Sequence, residues 1–141
     1  IVEGYVGVNL SPKRNIWLDV GVLGSPYTNE SAISKDHLMY TRSFAPENVP
    51  YYLSGAKLSV PLNKKWNAIF FLLNGWQVIQ DNNDKKSLGA QVEFRPNDEM
   101  LFNGNTFIGD ERNNLNPDFR TRYLLDFFWI YKPKKSRWDA T

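Results

Sequence analysis

Hydrophobic and polar residues alternate along most of this chain. Such a period of two is typical of β-strands with two different faces. The pattern predicts strands over residues 1–10, 16–22, 52–60, 66–76, 87–94, 100–108 and 123–131. Residues 137–141 look like the start of one more strand. The sequence therefore predicts an all-β protein of about seven strands.

One long segment, residues 24–52, interrupts this pattern. A stretch of about 27 residues without strand periodicity is far longer than an ordinary connection, and such loops are usually functional or disordered. Its apolar side chains, among them Ile33, Met39 and Phe44, argue against disorder. Ser34 is a candidate cap for a short helix over residues 35–42. We expect the loop to fold onto or into whatever the strands enclose.

The connections between the predicted strands alternate in length. Short turns carry Pro or Asn with Lys or Arg, whereas the longer loops are rich in Asn, Asp and Ser. With antiparallel neighbours, all short turns lie at one end and all longer loops at the other, which is the topology of outer-membrane barrels. A sandwich with crossover connections would not sort its loops in this way. The sequence predicts an antiparallel up-and-down transmembrane β-barrel, with the long loop folded into the pore.

Aromatic residues lie at the predicted strand ends. They are Trp17, Trp66, Phe94, Trp129 and Tyr131 beside the short turns, and Tyr51, Tyr52 and Trp76 on the loop side. This placement resembles the two aromatic girdles of a membrane protein. Strand ends of soluble β-proteins also carry aromatics, so both interpretations stay open.

Composition narrows the function classes. A formal net charge of +2 is too small to indicate a nucleic-acid partner, and Cys 0 leaves no thiol chemistry. No apolar run reaches the ~18 residues of a membrane helix. The single histidine, His37, has no second histidine or cysteine with which to bind a metal, and no catalytic constellation or cofactor motif stands out. We expect no enzymatic activity and no cofactor.

Alternation alone does not decide which face points outward. The faces opposite the apolar ones are polar or small, which favours a hydrated lumen. The candidate pore-lining and constriction residues are Glu3, Asp19, Glu30, Arg42, Lys57, Gln91, Glu93, Asn103, Asn105, Arg122 and Asp126. Arg42 is expected to face Glu3, Asp19 or Glu93 and to set a transverse field. Because an open sheet is not viable in lipid, residues 1–141 are expected to be part of a single barrel domain, incomplete at both ends.

Several segments also resemble a known family. They are YVGVNLSPK, ESAISKDHLMYTRSFAPENVPYYLSGAKLS, LNGWQVIQDNNDKKSLGAQVEFRP and FNGNTFIGDE. Together they resemble the OmpL-like β-barrel porins of the Bacteroidota over nearly the whole chain, most specifically at residues 30–57 and then at 73–77. The resemblance implies a bacterial outer-membrane barrel made with a signal peptide and passive solute passage. It supplies no catalytic residues.

The expected function is a porin-like channel for small solutes, with residues 24–52 as its constriction. A non-conducting scaffold or subunit of an envelope complex is the alternative, and a soluble β-barrel that binds an apolar ligand is a weaker one. The expected partners are outer-membrane lipid and small solutes, with envelope proteins or further copies of the chain as candidates.

Overall fold

The computed structural model describes residues 3–30, 40–41, 43–80, 85–110, 120–135 and 139–140. Its seven strands form one antiparallel sheet in chain order, β1-β2-β3-β4-β5-β6-β7. The elements are β1 (Gly4–Ser11), β2 (Ile16–Gly24), α1 (Ala45–Asn48), β3 (Tyr52–Pro61), β4 (Trp66–Leu73), β5 (Ser87–Asn97), β6 (Met100–Asp110) and β7 (Thr121–Tyr131). The predicted all-β, up-and-down architecture is confirmed.

The tight turns lie at one end of the sheet. In the β1–β2 turn the Arg14 amide donates to the Ser11 carbonyl at 3.1 Å. Asn15 closes this turn with a φ of 54°, a left-handed conformation that asparagine tolerates well. In the β3–β4 turn the Leu62 amide donates to the Trp66 carbonyl at 3.0 Å. The longer connections lie at the opposite end, so the predicted sorting of loops is confirmed.

Some element bounds differ from the prediction; β5, for example, runs on to Asn97 rather than ending at Phe94. β4 ends at Leu73 rather than at Trp76, because Gly75 and Gln77 take positive φ values of 154° and 59° and turn the chain away from the sheet. The helix predicted over residues 35–42 lies outside the described residues except at 40–41, which are not helical. The short helix α1 follows instead, with Pro46 in its first turn, where the fixed φ of proline suits a helix.

The strands present two chemically different faces. The outward face is apolar, and its most exposed residues are Val6, Val8, Leu10, Val20, Phe70, Leu72, Leu88, Tyr123, Leu125 and Phe127. Leu125 is the extreme case, at 86% exposed. Apart from Asp110 at the end of β6, no charged residue of β1–β7 lies on this face. Exposed apolar residues on this scale mark a surface that meets lipid or a partner rather than water.

Two glycines let the sheet bend between β2 and β3. Gly21 and Gly55 are paired across the two strands, and their φ values are 144° and 152°. A Cβ at Gly21 would overlap the Gly4 carbonyl oxygen, and one at Gly55 would overlap the Leu72 carbonyl oxygen. Paired glycine kinks of this kind introduce curvature into a sheet. Both glycines lie on the face that carries Asp19 and Lys57.

Both edges of the sheet are open among the described residues. β1 pairs with β2 alone, and β7 pairs with β6 and, at one point, with Ala140. The Tyr131–Ala140 bridge has hydrogen bonds of 2.7 and 2.9 Å. Of the strand predicted over residues 137–141, only Asp139 and Ala140 are described. Ala140 forms this bridge, and Asp139 is not in a strand.

Candidate functional site

The candidate site is the concave face of the sheet together with residues 25–30, which we call the inserted segment. Tyr27 is its centre and is 2% exposed. The Tyr27 ring stacks on Trp76 at 6.1 Å between centroids, and Trp76 meets Phe107 edge-on at 5.0 Å. Burial, with a smaller contribution from Asp126, raises the pKa of the Tyr27 hydroxyl above its ordinary value. The hydroxyl therefore stays protonated, and it donates to the Thr106 carbonyl at 3.4 Å.

Polar contacts fix the inserted segment to β6 and β7. The Asn105 amide Nδ2 donates to the Pro26 carbonyl at 3.0 Å and to Asp126 Oδ2 at 2.7 Å. The backbone amide of Thr28 donates to the same Asp126 oxygen at 3.1 Å. Asn105 is 2% exposed, so these bonds are protected from water. Asn105 and Asp126 thus act together as an anchor for a segment that begins at the end of β2.

The anchor shows how strongly the sheet curves. Following the register from β6 back to β2 leads from Asn105 through Gln91, Ile69 and Ser59 to Trp17. In a flat sheet, Gly24 would lie about 24 Å from Trp17 along β2, and Trp17 would lie about 19 Å from Asn105 across four strand spacings. The direct distance from Gly24 to Asn105 would then be about 31 Å. The chain from Gly24 to Pro26 spans about 7 Å. Since Pro26 nevertheless meets Asn105, the sheet curls around the inserted segment.

The concave face has an apolar part and a polar part. On the loop side Leu23, Leu53, Phe71, Leu73 and Phe107 form a buried cluster with Tyr27. Gly89 makes room for this packing, because a Cβ there would lie 3.2 Å from the Tyr27 hydroxyl and 3.3 Å from Phe71. The prediction of a polar inner face is therefore wrong for this half, which the inserted segment fills.

The other part of the concave face carries polar residues of both charge signs, interspersed with apolar ones such as Ile69, Phe128 and Ile130. Gln91 Nε2 donates to Asn103 Oδ1 at 3.2 Å, and both residues are buried. Lys57 Nζ lies 2.9 Å from Asp19 Oδ2 on the neighbouring strand. Towards the tight turns, Asn67 Nδ2 donates to Glu93 Oε2 at 3.2 Å, and Arg95 lies 3.7 Å from the other Glu93 oxygen. This wall offers hydrogen-bond donors and acceptors without a single dominant charge.

An aromatic row crosses the outward face near the tight turns. Trp66, Phe94, Phe102 and Trp129 occupy paired positions on four neighbouring strands. Trp66 stacks on Phe94 at 4.4 Å, and Phe94 stacks on Phe102 at 6.1 Å. An aromatic row at the margin of an apolar band is the arrangement by which outer-membrane barrels meet the membrane–water interface.

The comparison with family models agrees with this geometry. Residues 1–139 match the family described as "Putative beta-barrel porin-2, OmpL-like". The chain belongs to this OmpL-like porin family. A search of curated proteins and of solved structures gives no match. The predicted resemblance is confirmed, and the OmpL-like chain is a porin-type β-barrel protein.

Two of the expected aromatic girdle residues of this OmpL-like chain lie elsewhere. Trp76 packs on Tyr27 and Phe107 over the concave face. Trp17 lies on the same face as Asp19, because a Cβ on Gly7 would meet both side chains. The girdle prediction is therefore wrong for these two tryptophans. Strand-end position alone did not tell which face each ring would take.

The remaining predicted site residues have individual surroundings. Glu3 lies at the loop-side end, where its Oε1 would be 2.5 Å from a Cβ on Gly24, so it is not beside Asp19, which pairs with Gly7. The guanidinium of Arg122 lies 4.5 Å from the centre of the Trp76 ring. Arg42 and His37 lie outside the described residues.

Glu30 has a role within the loop. Both carboxylate oxygens accept from the Ser43 amide at 3.1 Å, and Oε2 also accepts from the Ser43 hydroxyl at 2.5 Å. This contact joins the start of the long loop to its later part, 13 residues on. Glu30 therefore holds Ser43 close to the end of the inserted segment.

Sequence reasoning did not select the residues that seat the inserted segment, chiefly Tyr27, Trp76 and Phe107. Their sequence signals are weak. Tyr27 follows the end of a strand by three positions, and Trp76 follows a glycine after the most apolar strand. Among the described residues, no group of three or more His, Asp or Glu side chains could hold a metal ion. In the same residues no helix is long and apolar enough to span a membrane.

Proposed function

We propose that this chain forms part of the wall of an outer-membrane channel through which small solutes pass passively, and that the loop of residues 24–52 narrows it. The observation that carries the proposal is the anchor described above. A segment leaving β2 crosses the concave face and bonds to β6 and β7 through Asn105 and Asp126. A loop held across the inside of a barrel reduces its open cross-section.

The outward face supports placement in the outer membrane. β7 has 11 residues, which at about 3.4 Å per residue and a tilt of about 40° gives a height of about 28 Å. This is close to the ~25 Å apolar band of outer-membrane barrels. A soluble barrel with an apolar interior would need the opposite arrangement, with polar residues at positions such as Val6 and Leu125.

The open edges bear on how the channel closes. Each unpaired backbone N–H or C=O group of β1 and β7 would raise the free energy of the folded chain in lipid by roughly several kcal/mol. We infer that both edges pair with further strands, so that residues 1–141 are part of one barrel domain. The lumen is then wider than the described sheet alone would enclose.

Selection among solutes would come from the mixed charges of the wall. Asp19 with Lys57, and Glu93 with Arg95, place opposite charges side by side. Paired charges leave weak net selectivity for cations or anions and favour sorting by size. The predicted transverse field between Arg42 and the acidic residues stays part of this proposal.

Single-channel recording on the full-length protein in planar bilayers tests the proposal. The variant lacks residues 30–48 and keeps the inserted segment up to Asn29. We expect stepwise conductance in the unaltered protein and larger steps in the variant. Silence in both forms, from protein shown to be folded and inserted, would contradict a channel and favour a scaffold in an envelope complex. Conductance in the variant alone would show a closed plug instead of an open constriction.

A further inference from the structure

We propose that the β1–β3 part of the concave face binds a neutral oligosaccharide. The site consists of the rings of Tyr5 and Trp17 with the Asp19–Lys57 ion pair between them. This inference rests on the proposed channel, because it names the class of solute that this part of the wall would recognise. Its evidence is a set of contacts that neither the lipid-facing band nor the inserted segment explains.

Two aromatic rings are exposed on a face whose other exposed side chains are polar. Trp17 is 39% exposed, and Tyr5, which lies on the edge strand β1, is 50% exposed. Lys57 Nζ lies 5.4 Å from the centre of the Tyr5 ring, so Tyr5 shares the face of Lys57 and Asp19. Water-facing positions inside an outer-membrane barrel are usually polar. Exposed rings there are therefore candidates for contact with a ligand.

Glycines next to the rings leave them uncovered. Gly7 pairs with Asp19, and a Cβ on it would lie 2.5 Å from Asp19 Oδ1 and 3.6 Å from Trp17 Cε3. Gly21 pairs with Tyr5 in the same way. Since neither glycine contributes a side chain, each ring lies next to bare backbone, and the Lys57 ammonium lies over part of the Tyr5 ring.

The ion pair between the rings suits hydroxyl groups. The side chains of Lys57 and Asp19 are 26% and 11% exposed, and their charges cancel. A carboxylate accepts hydrogen bonds and an ammonium donates them, whereas each hydroxyl of a ligand can do both. Asn9, which pairs with Trp17, adds an amide at the end of the site. A ligand with a net charge would gain little here, so a neutral polyol fits best.

Sugars combine the two features that this surface offers. A pyranose has an apolar face of C–H groups, which stacks on an aromatic ring, and a rim of hydroxyls for the polar groups. Rigid Tyr and Trp rings with a few well-placed polar groups are the usual composition of small-molecule sites. The Trp17 ring reaches back over Gly7, which is two positions from Tyr5 on β1, about 7 Å along the strand. The two rings therefore suit neighbouring sugars of a linear chain.

A structural role for the rings makes a different prediction. Aromatic residues stabilise sheets by covering glycines on a neighbouring strand, and Tyr5 and Trp17 lie against Gly21 and Gly7. If this were their whole role, their replacement would lower stability and no sugar would bind. The test must therefore distinguish the aromatic surface of the ring from the volume that the side chain fills. Trp17→Leu keeps apolar cover on Gly7 and removes the aromatic surface.

Isothermal titration of the full-length protein in nanodiscs, free of sugar-based detergents, tests the site. The probes are maltohexaose, cellohexaose and xylohexaose, with polyethylene glycol of matched size as the polymer control. We expect at least one hexasaccharide to bind and the polymer not to. Trp17→Leu and Tyr5→Ala should each weaken binding by about tenfold. Trp66→Ala, at the same end of the sheet on the outward face, should leave it unchanged.

The outcomes separate this site from the channel itself. Conductance without hexasaccharide binding, or binding that neither ring substitution weakens, would overturn the sugar site and leave the channel standing. Ring-dependent binding in folded protein that does not conduct would overturn the channel and leave the sugar site. Circular dichroism of each variant verifies that the sheet is intact.

Discussion

Leu125 offers a direct test of which face of the sheet meets lipid. It is 86% exposed and lies near the middle of β7 (Thr121–Tyr131), four residues from the loop-side end. With a rise of about 3.4 Å per residue and a tilt of about 40°, this places it about 10 Å inside that end of the strand. In a membrane of ordinary thickness, Leu125 is therefore close to the centre of the apolar band.

Leu125→Arg should destabilise the folded barrel by about 2–4 kcal/mol, the cost of an arginine on the lipid face near the bilayer midplane. That cost corresponds to roughly 30- to 700-fold in the unfolding equilibrium. Thr121→Arg, on the same strand and face but at its end, should cost about 0–1 kcal/mol. The assay is reversible unfolding of the full-length protein in urea with lipid vesicles, followed by tryptophan fluorescence. Equal effects at both positions, or no loss at Leu125, would refute a lipid-facing band.

Three further predictions use the same unfolding assay. Asp126→Ala removes two hydrogen bonds that hold the inserted segment and should cost about 2 kcal/mol; a loss below a few tenths would show that the anchor is not formed in the membrane. Gly55→Ala should cost at least ~2 kcal/mol because of its positive φ and the overlap of its new Cβ, whereas Gly4→Ala, with nothing within 4 Å, should be nearly neutral. Lys57→Met leaves the carboxylate of Asp19 unpaired and should cost about 1–3 kcal/mol, and adding Asp19→Asn should restore part of that loss. Additive effects of those last two substitutions would contradict the ion pair.

The strands, their order and their two faces could be predicted from the sequence because these features are local. A period of two assigns each residue to a face, and short turns dictate antiparallel neighbours. Leu125 and Asp126 are adjacent in the chain and end on opposite sides of the sheet for this reason. The choice of the apolar face as the outer one needed a further observation, namely the polar residues at mid-strand on the opposite faces.

The packing inside the barrel could not be predicted in the same way. Tyr27 bonds to Thr106, 79 residues away in the chain, and no local pattern separates Tyr27 from Tyr51 or Tyr52. The sequence predicted that the strand beginning at Trp66 continues to Trp76. Instead, the Trp76 ring leaves the strand and stacks on Tyr27, a contact that the sequence pattern does not indicate. Such contacts depend on how far the sheet curls, which the alternating pattern does not encode.

One face of this sheet is proposed to meet lipid and the other to line a water-filled lumen. Cysteine scanning along β7 tests this proposal most directly, because residues 1–141 have Cys 0 and add no background labelling. Single cysteines at residues 122–129 of the full-length protein in vesicles are treated with a charged, membrane-impermeant thiol reagent. Alternating labelling is expected, strong at Arg122 and Phe128 and weak at Tyr123, Leu125 and Phe127; Asp126 is left out because the inserted segment covers it. Labelling that is strong at Leu125 and Phe127 and weak at Arg122 and Phe128, or that does not differ between the two faces, would contradict a lipid-facing outer surface.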